Sequence, residues 1–251
     1  VVQEDGALAW SEGRPRPFLA LQADAGTVLH LRGVGGWGLP WWTWGGLIAD
    51  GWLDGTMFTG TAGARLSLIL VNLDLHWRAT RYWDRVAMPP LDRHTELATG
   101  GTSTNHAWDL DLWGVAPTPG GYLAWEVLGS RMLGRSGEVH VYDEAVHAIV
   151  QPPWSGFASL GWAADLAEGA VQAGASADLA YLGRGGELRL RAGPLASWAI
   201  TPAWSLRAQL LFTITSPDAL KLWSSLGGGL TVGYRTATGV GRLPGPAAAA
   251  Q

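Results

Sequence analysis

Residues 203–215 read AWSLRAQLLFTIT. Trp204, Leu206, Ala208, Leu210, Phe212 and Ile214 hold the even positions, and Ser205, Arg207, Gln209, Leu211 and Thr213 the odd ones. A period of two makes this a strand with one apolar face and one mostly polar face. In a soluble sandwich the apolar face is the core and the polar face meets water. In a membrane barrel the apolar face meets lipid and the polar face lines the interior. The local pattern is the same in both, so the rest of the chain decides.

The same period recurs on either side. Residues 17–32 place Leu19, Leu21, Ala23, Ala25, Leu29 and Leu31 against Gln22, Asp24, His30 and Arg32. Residues 55–70 set Phe58, Leu66, Leu68 and Leu70 against Thr59, Thr61, Arg65 and Ser67. The parity then flips to Leu73, Leu75 and Trp77 against Asp74, His76 and Arg78, which predicts a tight turn or bulge near Val71. Further strands are predicted at 107–113, 122–128, 158–166, 170–182, 187–200 and 220–235. The stretches 36–53 and 138–150 are ambiguous: the first is aromatic but irregular, and the second alternates and then loses phase. With both as strands the count is twelve; with neither it is ten. Residues 84–105 read as a long loop, 1–16 as an N-terminal extension and 237–251 as a flexible tail.

Charged residues make up 15% of the 251, against roughly 25% in an ordinary soluble domain, while the hydrophobic share of 47% is ordinary. Surface charge is missing without added grease, as expected when much of the outside is not in water. No apolar run approaches the roughly 20 residues of a transmembrane helix. A net charge of −4 argues against nucleic acid as a partner. With no cysteine there is no disulfide, thiol nucleophile or Cys-based metal site. The start at Val1 suits removal of a signal peptide.

Three magnitudes favour the membrane. Soluble strands usually run about 5–6 residues, a bilayer-spanning strand needs roughly 9–11, and the clean strands here are of the longer kind. Charges keep to the polar face, where they escape the roughly 2–4 kcal/mol that a basic residue costs on lipid at mid-membrane. Asp24, Arg32, Arg65, Asp74, Arg78, Asp109, Asp111, Glu126, Asp178, Arg189, Arg191 and Arg207 are therefore assigned to the lumen. Arg81 and Arg131 break the rule, but at strand ends, where a long side chain can snorkel. Finally, the apolar face is rich in alanine, which fills a packed core poorly. Its aromatics Trp108, Tyr181, Trp198, Trp204 and Tyr234 fall near strand ends, as in an aromatic girdle.

On these strands, and on the last one, LGGGLTVGYR, the chain resembles the outer-membrane β-barrels of Gram-negative bacteria over residues 17–236. The resemblance implies a final strand ending in an aromatic residue that aids assembly. Tyr234 takes that place, with residues 235–251 following it.

Candidate chemistry is sparse. GVGGWG (33–38) has the spacing of a dinucleotide fingerprint, but Pro40 and aromatics follow where a helix is needed, so it reads as a Gly-rich turn. Ser103, Asn105 and His106 are the group to suspect in a rim-active hydrolase, and nothing in their spacing fixes a nucleophile–base pair. The six histidines show no metal-ligand spacing. The inward charges, counted with Asp165, Glu187, Lys221 and Arg235, balance in sign, which predicts cross-strand pairing in a filled interior rather than an ion-selective pore.

The sequence thus predicts an all-β, antiparallel up-and-down transmembrane β-barrel of 12 strands, with 10 as the alternative, in the bacterial outer membrane. It predicts no cofactor, no metal, no nucleic acid and no enzyme activity. The expected partners are outer-membrane lipid and proteins of an envelope complex. The expected function is a scaffold or anchor subunit of a trans-envelope machine for secretion, polysaccharide export or surface (gliding) motility. A small passive channel is the alternative, and a rim-active enzyme the second. With both termini periplasmic, this strand count puts the 84–105 loop on the periplasmic side.

Overall fold

A computed structural model describes residues 15–26, 28–39, 43–85, 87, 101–135, 139–166, 170–183, 186–201, 204–216 and 226–238. Twelve strands close into a barrel: β1 (Arg16–Ala25), β2 (Leu29–Leu39), β3 (Thr43–Leu53), β4 (Met57–Leu68), β5 (Val71–Tyr82), β6 (Ser103–Thr118), β7 (Gly121–Leu133), β10 (Trp154–Leu166), β11 (Val171–Tyr181), β12 (Leu188–Ala199), β13 (Trp204–Thr215) and β14 (Leu226–Thr238). Every neighbouring pair is antiparallel and follows chain order, and β14 returns to β1. Two short strands, β8 (Val141–Asp143) and β9 (Ala148–Val150), pair only with each other. The extension at 1–16 and the tail at 237–251 lie almost wholly outside the described residues.

Alternation decides what each side of the wall carries. Leu47, Ile214, Leu230 and Leu160 point outward and are more than half exposed, while Arg189 and Asp109 point inward and are 1% exposed. A soluble protein with this distribution would expose a continuous apolar band and bury its charges, both heavily unfavourable. In a bilayer the same distribution is the stable one. This is the inside-out polarity of an outer-membrane barrel, and no helix among the described residues is long and apolar enough to cross a membrane. Leu206, Ala208 and Leu210 of the opening stretch accordingly lie on the outer face, and Arg207 is buried inside.

The strand number is twelve, but by a different division of the chain. Residues 17–32 are two strands, β1 ending at Ala25 and β2 beginning at Leu29, with the Gly26 N–H donating to the Val28 carbonyl between them. Leu19 to Ala25 and Leu29 to Leu31 share odd parity across that junction, so the pattern shows no break there. Residues 138–150 supply no wall strand; they hold the β8–β9 hairpin. The parity flip near Val71 is a two-residue turn, Ile69–Leu70, with Ile69 at φ 40°. GVGGWG is part of β2 rather than a turn.

This division moves the long loop. The turns β2–β3, β4–β5, β6–β7, β10–β11 and β12–β13 lie at the same end as the start of β1 and the finish of β14. The β5–β6 connection (83–102) and the β7–β10 connection (134–153) lie at the opposite end. The expectation of a periplasmic loop at 84–105 is therefore corrected at its anchors: most of the loop lies outside the described residues, but the finish of β5 and the start of β6 are at the end opposite the start of β1 and the finish of β14.

Candidate functional site

An eight-stranded barrel has an interior just wide enough for its own side chains, and the diameter grows with strand number. Twelve strands leave room for more, and the β8–β9 hairpin takes part of that room. It leaves the rim after β7 and folds back inside against the walls from β5 to β12. Val141, Val146, Ala148 and Val150 of the hairpin pack with Ala107 of β6, Met132 of β7 and Ala180 of β11 in one buried apolar cluster. An apolar cluster inside a polar lumen holds a segment without need of charge.

Two arginines fasten the hairpin. Arg78 of β5 donates through Nη1 to Asp143 Oδ1 at 2.8 Å and also to Glu144. Through Nε it meets Asp109 Oδ2 at 2.6 Å, and through Nη2 it meets Ser130 Oγ at 2.9 Å. Glu144 also accepts from the hydroxyls of Thr80 and Tyr82, and Asp143 accepts from Ser155 Oγ at 2.7 Å. On the other side Arg189 of β12 donates to the carbonyls of Val146 (2.5 Å) and His147 (2.6 Å). Arg78 and Arg189 are almost wholly buried, so their charges must be met here.

Further toward the short-turn end the lumen holds two more groups. On β1–β3 and β13, His30 lies between Asp24 (3.4 Å) and Asp50 (3.1 Å). Arg32 Nε meets Asp50 at 2.5 Å, Arg207 Nη2 stands 3.6 Å from Asp24, and Trp52 stacks on the His30 ring. On β4–β7, Arg65 grips Asp74 with two bonds of 2.5–2.6 Å under the ring of Trp113, whose indole N–H also reaches Asp74. Asp111 and Glu126 lie beside this pair, and neither is in an ion pair with any described residue.

All twelve residues assigned to the lumen point inward. Arg191 and Asp178 form a two-pronged pair at 2.6–3.0 Å, on directly opposed positions of β12 and β11. Trp108, Tyr181, Trp198, Trp204 and Tyr234 are all on the outer face and more than a third exposed, with Trp204 and Tyr234 in ring contact at 4.9 Å. Trp198, Trp204 and Tyr234 fall toward the short-turn end, and Tyr181 and Trp108 toward the other. Arg131, exposed near the end of β7, covers the ring of Trp154.

Two expectations change. Ser103 and Asn105 lie on the inner face of β6, whereas His106 lies on the outer face, stacked against Trp77 at 5.4 Å. Strand alternation separates the suspected hydrolase group. The sign balance of the lumen is also lost: Asp50, Asp143 and Glu144 join the inside, Glu187 lies exposed in the β11–β12 connection, and Lys221 and the Arg235 side chain lie outside the described residues. Among the described residues, inward carboxylates outnumber inward guanidinium groups. Asp50 falls in the irregular stretch 36–53, and Asp143 and Glu144 in the stretch that loses phase, so periodicity alone gives no signal for them.

No protein-family model and no curated protein matches the chain. Its backbone is similar to solved outer-membrane barrels. The translocator domain of autotransporter NalP from Neisseria meningitidis has 17% identity and TM-score 0.44, over 90% of this chain and 92% of that one. The Acinetobacter baumannii outer membrane protein Omp33 has 12% identity and TM-score 0.43, over 89% of this chain and 100% of that one. The KdgM porin, solved with disordered oligogalacturonate, has 7% identity and TM-score 0.43, over 86% and 98%.

Proposed function

We propose that the protein is an outer-membrane anchor: a barrel narrowed by its own hairpin, serving as the scaffold subunit of an envelope complex. The observation that supports it is the double fastening of the β8–β9 hairpin to Arg78 and Arg189. A loop meant to move would not have its turn held from two sides by buried guanidinium groups, since breaking those bonds leaves buried charge behind. The lumen is structure here, and the working surfaces are the rim and the lipid face.

A small passive channel is the second reading, and the excess of inward carboxylates favours it, since a lumen rich in one sign selects ions. One experiment separates the two. The full chain in planar bilayers is expected to show no steady conductance. A variant with Asp143→Asn and Glu144→Gln, which loosens the hairpin, is expected to show intermittent openings. A reproducible conductance on the order of a general porin's from the unaltered chain would put the channel first. For the anchor role, cross-linking in native outer membranes is expected to trap the barrel with protein neighbours, and recovery of the barrel alone would count against it.

A further inference from the structure

Inside this barrel four wall carboxylates share one arrangement, while a fifth, Asp24, has His30 across from it and Arg207 at 3.6 Å. Asp74 lies directly across from Arg65 and bonds to it. Asp178 lies directly across from Arg191, and Asp50 from Arg32, and both are bonded. Asp109 is met by Arg78 from the adjacent strand. Each is supplied with a guanidinium from the neighbouring strand, as the cost of burying a lone charge demands.

Asp111 departs from that arrangement. Its cross-strand neighbours are Asp74 on one side and Leu128 on the other. Asp74 is already held by Arg65, and directly opposed positions bring like charges to about 5 Å. Glu126 lies opposite Trp113, the next inward residue along β6, and adds a third carboxylate. Asp111 is only 9% exposed, and its Oδ1 has no hydrogen-bond partner among the described residues. Asp111 thus offers a nine-tenths buried carboxylate oxygen that no described residue bonds, with Asp74 and Glu126 beside it and only the through-space charges of Arg65 and His76 acting on it.

The geometry narrows the kind of cation. Among the described residues no three His, Cys, Asp or Glu side chains stand close enough together to hold one metal ion. A carboxylate oxygen accepts only, so its counterpart has to bring its own N–H donors. We propose that Asp111 and Glu126 form a lumenal site for a guanidinium or primary ammonium group, entering from the short-turn end of the barrel. It would complete at Asp111 the pairing that arginines supply at Asp74, Asp109 and Asp178. Planar N–H donors match carboxylates in two-pronged fashion. On the other side the hairpin packs against Met132 and is linked to Asp109 through Arg78, so it occupies the lumen toward the long-loop end. The site stands whether the barrel is an anchor or a channel.

The chemistry has two sources: a free small cation, or a basic side chain on a partner's extended segment. The test uses the full chain in detergent near neutral pH. The probes are n-butylguanidinium, tetramethylammonium, which has the charge but no N–H donor, and a five-residue Gly peptide with one central Arg. Binding is read by titration calorimetry. Saturable binding of n-butylguanidinium is expected, weakened at least about tenfold by Asp111→Asn, the loss of one charge-assisted bond. Tetramethylammonium should bind at least about tenfold more weakly than n-butylguanidinium. Glu126→Gln is the second variant, with a smaller loss, and keeps the test valid if Asp111→Asn folds poorly. Tighter binding of the peptide than of n-butylguanidinium assigns the site to a partner's side chain, and the reverse order to a free cation. Equal binding of tetramethylammonium, equal binding by both variants, or no saturable binding at all would overturn the proposal. The last result is the one expected if the two carboxyls simply share protons.

Discussion

Two layers of the lumen lie one inward residue apart and are built on opposite terms. At Asp109 and Ser130 the wall meets the hairpin, and every carboxylate there has a donor from Arg78 or from a hydroxyl. At Asp111, one inward position nearer the short-turn end than Asp109, and at Glu126, two nearer than Ser130, carboxylates outnumber donors among the described residues. The fold itself is indifferent to this, since the ladders of β6 and β7 run through both layers without a break. A wall built for stability alone would treat both layers alike. The upper one is finished within the chain, and in the lower one Asp111 and Glu126 have no bonded cation among the described residues.

The largest expected effect is in the finished layer. Arg78→Ala removes the one cation that serves Asp109, Asp143 and Glu144 together. Removing one partner of a buried pair costs about 3–5 kcal/mol, and here three carboxylates lose their partner. The variant should lose most of its heat-modifiable folded band on unboiled gels, or need markedly less urea to unfold. Unchanged folding would mean that the upper layer is no more committed than the lower.

Arg189→Ala should come second. Its bonds go to the carbonyls of Val146 and His147, with Asp178 at 4.0 Å already held by Arg191. Hydrogen bonds from a charged donor are worth about 1.5–3 kcal/mol. The barrel should fold, with the hairpin loosened at its β9 side. Hydrogen exchange across 141–150 should rise while the wall strands keep their protection.

Acidity should act on the hairpin in two steps. At Asp143, burial and the neighbouring Glu144 outweigh Arg78, and the carboxyl is raised above its ordinary value. At Glu144, burial is outweighed by Arg78 and by the hydroxyls of Thr80 and Tyr82, and the carboxyl is held below its ordinary value. A raised acid costs stability when ionised, so mild acidification through Asp143 should tighten the hairpin. A lowered acid contributes stability above its unfolded value, about 4.3 for Glu, that is lost as pH falls through the folded one. Hydrogen exchange of the hairpin should therefore slow on mild acidification and speed up below about pH 4. A monotonic rise from neutral pH downward would show that the two carboxyls do not divide these roles.

Much of this was legible in the sequence, and the failures have one cause. Period two shows a strand only when the two faces differ. From β10 to β13 they do, with Ala, Leu and aromatics outside and Arg, Asp and Ser inside, and the wall was readable there residue by residue. In β3 the contrast is inverted: Trp44, Ile48 and Trp52 point inward, while Gly45 and Gly51 fall on the outer face. Trp44 fills the lumen edge-on to Phe18, and Asp50 hides among these residues. In the hairpin neither side meets lipid, so no lipid-facing pattern constrains Tyr142 to His147. Lone carboxylates such as Asp111 look no different in sequence from paired ones such as Asp109, because pairing depends on which strand lies alongside.

The smallest expected effect is the most discriminating, because its sign differs. Asp111→Asn removes a charge that no described residue pairs and that faces Asp74 directly. At Asp109 the loss of a charge destabilises, because it takes a partner from the buried Arg78. In the unfinished one it relieves repulsion between opposed like charges, worth roughly 0.2–1 kcal/mol in a sheet. The Asn amide also supplies N–H donors to a neighbouring carboxylate, which the carboxylate it replaces could not. Asp111→Asn should therefore unfold at the same urea concentration as the parent or slightly higher. Asp109→Asn, two residues away on the same face, should unfold earlier, because it strips Arg78 of a partner and His76 of its contact at 3.3 Å. Measured side by side, the pair of variants cancels effects common to β6. If both lose stability equally, Asp111 is tied into the wall by a bond of its own, and the lower layer is as complete as the upper.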